Sequence, residues 1–228
     1  MHAAGGAAER GGPGMDEATR ALVTLSAAIG SGERSAVEAA LEGAREAAAP
    51  EAIEEALLQS YLFVGFPGAL NAMAAWRERS GRPAGRAAGG SREEWRARGE
   101  AVCARVYGTQ YARLRERVAE LHPDLEAWML EEGYGKVLAR PGLALSVREL
   151  CIIALLVPQN APAQLHAHLR GALNVGASVE DVAEALEIAC AAAPPARAQA
   201  ARDVWAAVRA RWEERASGGR GAADRIEA

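Results

Sequence analysis

The sequence predicts an all-α protein, and its composition carries most of that prediction. Half of the 228 residues are hydrophobic, but alanine dominates this half and only 5% of the chain is aromatic. Long stretches of Ala, Glu, Arg and Leu favour helices, and there is little of the β-branched alternation that is typical of strands. A chain of this length can bury a substantial core, as one domain or as two small ones.

Charge and cysteine content exclude several classes of function. The formal net charge is −4 with the two signs interspersed, so we expect neither nucleic acid nor an anionic membrane as a partner. Cys103, Cys151 and Cys190 are far apart and form no CxxC pair, which argues against a disulfide framework or a zinc site and favours a reducing cytoplasm. The first residues lack the apolar core of a signal peptide, and no run approaches a transmembrane span. We therefore expect a cytoplasmic protein without a metal site.

The beginning of the chain predicts an extension followed by a first helical repeat. Residues 1–15 are rich in Gly and Ala and have too little bulk to order themselves, which predicts a disordered extension. Residues 16–80 show helical periodicity that is interrupted at Gly and Pro. The helices predicted in this repeat are Thr19–Ile29, Glu33–Ala48, Glu51–Val64 and Ala69–Arg79.

The rest of the chain predicts a linker, a second repeat and a tail. Residues 81–91, GRPAGRAAGGS, are rich in Gly and Pro without periodicity, which is typical of a linker. Residues 92–212 resume helical periodicity and form the second repeat, and residues 213–228 predict a polar tail that frays. The helices predicted in the second repeat are Arg92–Arg105, Tyr107–Leu121, Leu125–Tyr134, the central hairpin described below, Val179–Ala193 after a capping box at Ser178, and Arg197–Trp212.

The stretch Ser146–Gly176 carries the main chemical signal of the chain. Ser146 followed three residues later by Glu149 predicts a capping box that opens a helix, and Pro158 closes that helix. A tight turn then leads to a second helix that begins near Pro162. The turn predicts that the two helices are antiparallel neighbours.

Glu149 and His168 are predicted to face each other across this hairpin. At a rise of about 1.5 Å per residue, Glu149 lies roughly 12 Å before the turn and His168 roughly 10 Å after it. Helical spacing puts His168 on the apolar face of Leu165 and Leu169, whereas His166 points elsewhere. Both residues have a structural alternative, because a capping box alone explains Glu149 and a satisfied core histidine alone explains His168.

The two repeats are related by an internal duplication. Equivalent positions follow at an offset of 128 residues, which becomes 129 after one inserted residue near Ser178. The copies differ where chemistry is expected, because Ala21 stands at the position of Glu149 and Ala40 at the position of His168. The matching pairs are Arg20 with Arg148, Leu22 with Leu150, Leu41 with Leu169, Leu57 with Leu186 and Trp76 with Trp205.

At these residues the sequence resembles the carboxymuconolactone decarboxylase family, which also contains the alkylhydroperoxidase D-like proteins. The γ-carboxymuconolactone decarboxylase branch is the most similar, through EEGYGKVLARPGL at 131–143, Arg148-Glu149-Leu150, and HLRGALN at 168–174. This resemblance covers about residues 95–192. A further family stretch is similar to YLFVGFPGALNA at 61–72, and it occurs in the first repeat only.

The resemblance implies a shared site and an assembly. The second repeat would supply Glu149 and His168, and the first would supply a wall at Phe66 and Pro67. Single-repeat members of the family are all-helical units that assemble as trimers or hexamers, so two fused repeats imply a homo-oligomer, either a trimer or a dimer.

The resemblance to the peroxidase branch is incomplete in a way that matters chemically. That branch needs a CxxC between its glutamate and its histidine, and the corresponding positions here are Ala161 and Gln164. Peroxide turnover requires one thiolate to attack and a second thiol to resolve the product. The sequence therefore argues against CxxC-dependent peroxidase activity, and Cys151 is interpreted as a packing residue.

The main functional hypothesis is a decarboxylase that acts on a small carboxylated lactone without a cofactor. His168 would deliver the proton, since imidazole is the side chain that titrates nearest neutrality, and Glu149 would orient it. Arg148 is a candidate anchor for a substrate carboxylate, or else forms a structural ion pair. Gln164 and His166 could line an entrance, or lie on a solvated helix face, and Phe66 could form the wall named above or be a buried ring at a helix break.

Two other hypotheses remain open at this point. The chain could be a non-catalytic small-molecule-binding or oligomeric scaffold protein, which the degenerate first repeat favours. It could also be a related isomerase or hydrolase that uses the same proton relay. An intact Glu149–His168 hydrogen bond beside a retained pocket would favour an enzyme, and a filled pocket would favour the scaffold.

Overall fold

We describe the fold from a computed structural model that covers residues 14–223, apart from the side chains at 216 and 218–223. Most of the expected N-terminal extension and the last residues of the expected tail, 224–228, lie outside this range. Every regular element within it is helical, which confirms the all-α prediction. The α-helices are α1 (Glu17–Ser31), α2 (Arg34–Ala47), α3 (Pro50–Ser80), α4 (Arg92–Tyr107), α5 (Tyr111–Leu121), α6 (Pro123–Trp128), α7 (Leu145–Leu156), α8 (Pro162–Asn174), α9 (Val179–Ala191) and α10 (Pro195–Ala223).

Local sequence signals account for several helix ends. Asp16 caps α1 by accepting a hydrogen bond of 2.6 Å from the Thr19 backbone N–H, and Gly32 ends the helix with a φ of 75° that suits glycine. Capping boxes open α4 at Ser91 and α9 at Ser178, and the second of these is the one predicted.

The predicted break inside α3 is confirmed, whereas the last helix is longer than predicted. The helices expected at Glu51–Val64 and Ala69–Arg79 are the two arms of α3, which are separated by non-helical backbone at Gly65, with φ 68° and ψ 175°. The last helix continues past Trp212 to Ala223, so the described part of the expected tail is helical. The polar composition after Trp212 therefore does not end the last helix.

The duplication is visible in the packing of the described residues. Helices α1 and α7 occupy equivalent places in the two repeats and pack against each other at the centre. They approach closely at Gly30, where an added Cβ would lie 2.8 Å from the backbone oxygen of Leu155. The aligned leucines and both aligned tryptophans are buried in one continuous core. This core joins the two repeats.

A pair of exchanged ion pairs shows the same symmetry. Arg148 binds Glu55 at 2.8 Å, and its counterpart Arg20 binds Glu184 at 2.6 Å. Glu55 and Glu184 are themselves equivalent at the offset of 129 residues. Each repeat therefore sends an arginine to the glutamate of the other, as expected for an approximate twofold relation.

A π-helix, Met129–Leu138, lies within the second repeat and packs on α4. The two backbones touch at Gly99 and Gly135, since a Cβ on either residue would lie 1.8 Å from a carbonyl oxygen of the other element. The helix predicted to end at Tyr134 is thus replaced by a wider turn, which the side-chain period of the sequence did not reveal. The π-helix buries Tyr134 near the centre of the molecule.

Candidate functional site

Glu149 of α7 and His168 of α8 contact each other. The Nδ1 atom of His168 lies 2.8 Å from Oε2 of Glu149. Glu149 is fully buried and His168 is 7% exposed. The two helices are antiparallel neighbours, joined by a turn in which Asn160 has a φ of 58°. The structure therefore brings together the two residues that the hairpin spacing predicted to meet.

The predicted capping box at Ser146 is wrong. Helix α7 begins one residue earlier, at Leu145, and its N-terminal boundary is Ala144, which makes no side-chain cap. The backbone oxygen of Ala144 accepts from the N–H of Arg148, so the helix is already under way at Glu149. The structural alternative for Glu149 is thereby removed, because its carboxylate faces His168 and not the helix end.

One oxygen of the Glu149 carboxylate has no partner. Oε1 is completely buried and accepts no hydrogen bond from any described residue. Gly171 makes room for the carboxylate, since a Cβ at this position would lie 2.8 Å from Oε2 of Glu149 and 2.7 Å from a methyl group of Val106. A buried carboxylate oxygen without a donor normally requires a water, a proton or a bound group. The pair therefore has unused capacity for a hydrogen-bond donor.

One aromatic ring contacts the pair, and two tyrosines on α4 and the π-helix contact each other. Phe63 of α3 meets the ring of His168 edge to face, with centroids 6.0 Å apart. Tyr107 and Tyr134 meet in the same manner at 6.2 Å. Burial raises the pKa of Tyr107 to about 12 and that of Tyr134 well above its usual value, and the charge of Glu149 adds to both shifts. Both phenols therefore stay protonated beside the carboxylate.

The cysteines of the described region behave as packing residues. Burial raises the pKa of Cys103 to about 12, with a contribution from Glu149, and raises that of Cys151 to about 11. Neither thiol is ionised near neutral pH, so neither is a ready nucleophile. Ala161 and Gln164 occupy the positions where a peroxidase of this kind would carry its thiols.

Arg148 is not next to the pair. It is fully buried, and its guanidinium binds Glu55 at 2.8 Å and Gln59 at 3.2 Å. It also donates to the backbone oxygen of Arg140 at 3.0 Å. Glu55 also binds Arg140 at 2.8 Å, so Arg148 belongs to a link between the repeats, and its polar partners do not include Glu149 or His168.

The remaining predicted residues lie outside the pair. Gln164 is exposed and His166 is half-buried, and both line a groove between α5 and α8. Phe66 is 65% exposed and stacks on Tyr61 with centroids 5.2 Å apart. The expectation that Phe66 is a buried ring is wrong, because the break at Gly65 turns it outward.

Sequence reasoning missed the residues that enclose the pair. The first repeat does reach the site, but through Phe63, which lies three residues before Phe66 in the stretch YLFVGFPGALNA. Tyr134 is the last residue of the predicted helix Leu125–Tyr134 and lies in the stretch EEGYGKVL. The same motifs could have pointed to these rings, had the face of each element been known.

The clefts of residues 14–223 that lie near the pair are lined by its neighbours. The groove between α5 and α8 includes Val106 and Tyr107, and a groove of about 490 Å³ on another side includes Tyr61 and Phe66. Neither is lined by Glu149 or His168. In this conformation, solvent or a ligand can therefore contact the pair only at the exposed 7% of His168.

Residues 14–223 contain neither a cluster of metal-ligating side chains nor a helix that could span a membrane. No group of three or more His, Cys, Asp or Glu side chains within residues 14–223 is placed to hold a metal ion. No helix in that same range is long and apolar enough to cross a bilayer.

The fold and the site define a duplicated all-α protein with a buried carboxylate–imidazole pair and no CxxC. The chain belongs to the carboxymuconolactone decarboxylase family, whose model matches residues 1–78 and 123–207. The first matched segment covers α1, α2 and most of α3, the second runs from α6 into α10, and the unmatched part between them contains α4 and α5 of the second repeat.

Two relatives of the chain are both named peroxisomal protein 2. The chain is 34% identical to the Schizosaccharomyces pombe protein over 139 residues, which cover 59% of this chain and 65% of that protein. It is 39% identical to the Saccharomyces cerevisiae protein over 79 residues, which cover 34% of this chain and 28% of that protein. The chain therefore matches less than two thirds of the length of either curated relative.

Proposed function

We propose that this protein is a cofactor-independent lyase or isomerase that acts on a small carboxylated lactone through Glu149 and His168. The observation that carries the proposal is the buried 2.8 Å contact between the two side chains, with a second carboxylate oxygen left unpartnered. Membership of the carboxymuconolactone decarboxylase family supports a decarboxylation as the first reaction to test.

The chemistry needs a positioned proton. In a decarboxylation, the bond between the substrate carbon and its carboxylate breaks, and the electron pair moves into the conjugated lactone. CO₂ leaves, and a carbon of the lactone takes up a proton. His168 can deliver this proton from Nε2, because Nδ1 is held by Glu149 and Nε2 has no hydrogen-bond partner among residues 14–223.

Glu149 acts on the reaction through His168. A carboxylate that accepts from Nδ1–H holds the ring in one tautomer and stabilises the protonated ring. Burial strengthens this interaction, since little water competes for the carboxylate. The neutral rings of Phe63, Tyr107 and Tyr134 keep the surroundings free of competing charge.

The test is the ultraviolet absorbance change when the purified protein meets γ-carboxymuconolactone. His168→Gln and Glu149→Gln should each lower turnover by about 10²- to 10⁴-fold, the range typical of general acid–base groups. His166→Gln is the matched control, because it changes a histidine two residues away that is half-buried and does not contact Glu149. Turnover that survives in the folded His168→Gln protein would overturn the assignment.

A second candidate is a non-catalytic oligomeric scaffold or binding protein. Two observations favour it: neither nearby groove is lined by the pair, and Phe66, Leu125 and Trp128 are 65%, 45% and 58% exposed on one surface. A homo-oligomer, either a trimer or a dimer, would cover such a surface. Light scattering on the wild type and on a Trp128→Ser variant tests the assembly. An oligomer without turnover on any carboxylated lactone would favour the scaffold.

We also propose a cytoplasmic location for this chain. The cysteine chemistry supports it, since all three thiols are free and buried. The printed name of the two relatives refers to peroxisomes for those proteins. Fractionation of the cells that produce this chain distinguishes the two compartments.

A further inference from the structure

A groove of about 510 Å³ runs between α5 and α8, and neither Glu149 nor His168 lines it. Its floor is apolar and includes Val106, Leu114 and Val118. Its sides carry Arg113 and Arg117 from α5 and Arg170 from α8. This volume lies within the range of about 300–1,000 Å³ that is typical of small-molecule sites. The proposed lyase chemistry, which rests on Glu149 and His168, does not use this groove.

The positive charges around this groove are not neutralised by the protein. Arg113, Arg117 and Arg170 make no ion pair with any side chain that the structure describes, and neither do Arg211 and Arg215 of α10. Burial and the charges of Arg215 and Arg211 lower the pKa of Arg170, as expected for a half-buried guanidinium near other cations. Glu120 is the one carboxylate among the lining residues. The arginines therefore repel one another across a partly dry surface.

The first repeat shows what a neutralised version of this surface looks like. Glu38 and Glu42 of α2 stand at the positions of His166 and Arg170, at the offset of 128 residues. Both carboxylates lie 3.3 Å from Arg79 at the end of α3. The position equivalent to Arg79 is Val208, but the last helix of the second repeat carries Arg211 and Arg215, and the two facing carboxylates are replaced by a histidine and an arginine. The uncompensated charge is a local feature of one repeat and not a general property of the fold.

We propose that this groove binds an organic anion with an apolar body and a phosphate or carboxylate head. The apolar floor would take the body, and the guanidinium groups would take the head. Guanidinium groups bind phosphate and carboxylate oxygens by two parallel hydrogen bonds, which gives both affinity and orientation. A bound anion would also relieve the repulsion between Arg170, Arg211 and Arg215. The groove is independent of the proposed lyase activity and stands whether or not that activity is found.

Calorimetric titration of the full chain with three probes of equal chain length tests this site. Octyl phosphate carries both parts of the expected ligand, octanoate carries a single negative charge, and octanol carries none. We expect saturable binding of octyl phosphate, weaker binding of octanoate, and none of octanol. Tighter binding of octanoate would assign the head to a carboxylate, and equal binding of octanol and octyl phosphate would overturn the proposal.

Substitutions of the arginines that line the groove test where octyl phosphate binds. Arg170→Glu installs the residue that the first repeat has at this position, and Arg117→Gln removes an exposed charge that the fold does not need. Each should weaken octyl phosphate binding by at least about tenfold, as expected for the loss of a charge-assisted contact. Arg209→Gln is the matched control, since this arginine also lies on α10 but pairs with Glu213 at 2.7 Å. Equal affinity in the wild type and the folded Arg117→Gln and Arg170→Glu proteins would overturn the site.

Discussion

The two repeats share a scaffold but only one of them carries an acid–base pair. Glu149 and His168 of the second repeat replace Ala21 and Ala40 of the first. Gly171, three residues after His168, also differs in its surroundings from the equivalent Gly43. A Cβ on Gly171 would lie 2.8 Å from the Glu149 carboxylate, whereas a Cβ on the equivalent Gly43 would have no neighbour within 4 Å. The duplication thus kept the core positions and allowed the site to exist in one copy.

A second contrast concerns the grooves at the helix hairpins. In the first repeat Gly68 leaves a groove of about 310 Å³ beside α2. In the second repeat Arg197 stands at the equivalent position and donates to the backbone oxygen of Pro158, and only about 10 Å³ remains. Arg197 thus lines a nearly closed cleft at the place where Gly68 lines an open one. The two repeats diverged by small substitutions on equivalent surfaces.

The largest expected difference between the repeats lies in the two exchanged ion pairs. Glu55→Gln leaves Arg148 fully buried beside a neutral partner, and should lower the free energy of unfolding by about 3–5 kcal/mol. Glu184→Gln should change it much less, because the side chain of Arg20 is 47% exposed and can be hydrated. Urea unfolding of both variants checks this. Equal losses would contradict the assignment of Arg148 to a structural link.

The next effect concerns the two equivalent glycines. Gly171→Ala forces a methyl group against Glu149 and Val106, and should cost about 1–3 kcal/mol of unfolding free energy. Gly43→Ala, the matched control, should be neutral or stabilising by up to about 1 kcal/mol, because alanine favours the helix and the space is open. Thermal and urea unfolding measure both. A tolerated Gly171→Ala would show that the carboxylate can move aside.

A smaller effect is expected when the second repeat is given the residues of the first. Glu149→Ala and His168→Ala should each destabilise the fold, since each leaves a buried polar group without its partner. The double variant should lose less than the sum, with a coupling of about 1–2 kcal/mol. A double-mutant cycle in urea measures this coupling, and strictly additive losses would mean that the hydrogen bond contributes nothing to stability.

The smallest expected effect concerns the pH dependence of the protein's stability. Burial, with the charges of Arg170 and Arg211, lowers the pKa of His166 below its usual 6.5. The unfolded chain therefore binds more protons than the folded state just below pH 6.5, and stability falls as the pH decreases into that window. His166→Gln should reduce this fall slightly, as followed by Tm at several pH values.

Glu38 stands at the position of His166 in the first repeat, and its pKa affects stability in a different pH range. The hydrogen bond from Arg34 holds the pKa of Glu38 below its usual 4.5, so its contribution is lost only as the pH falls through that lower, folded-state value. Glu38→Gln should accordingly alter the Tm profile below about pH 4.5 and leave the region near pH 6 unchanged. A change near pH 6 in this variant would contradict the assignment of that window to His166.

The sequence by itself determined the helical class, the duplication and the partnership of Glu149 with His168. These follow from periodicity and spacing, because helix rise and turn position alone set which residues of a hairpin are level. The same rules identified the aligned core leucines, all of which are buried.

Only the tertiary structure decided the surroundings of the pair. The packing of α3 and α4 against the hairpin selects Phe63 and not Phe66, and it turns Arg148 toward Glu55. The π-helix that buries Tyr134 depends on close backbone contact at Gly99 and Gly135, which are 36 residues apart in the chain. Such contacts depend on the orientation of distant elements, and local periodicity holds no information about that orientation.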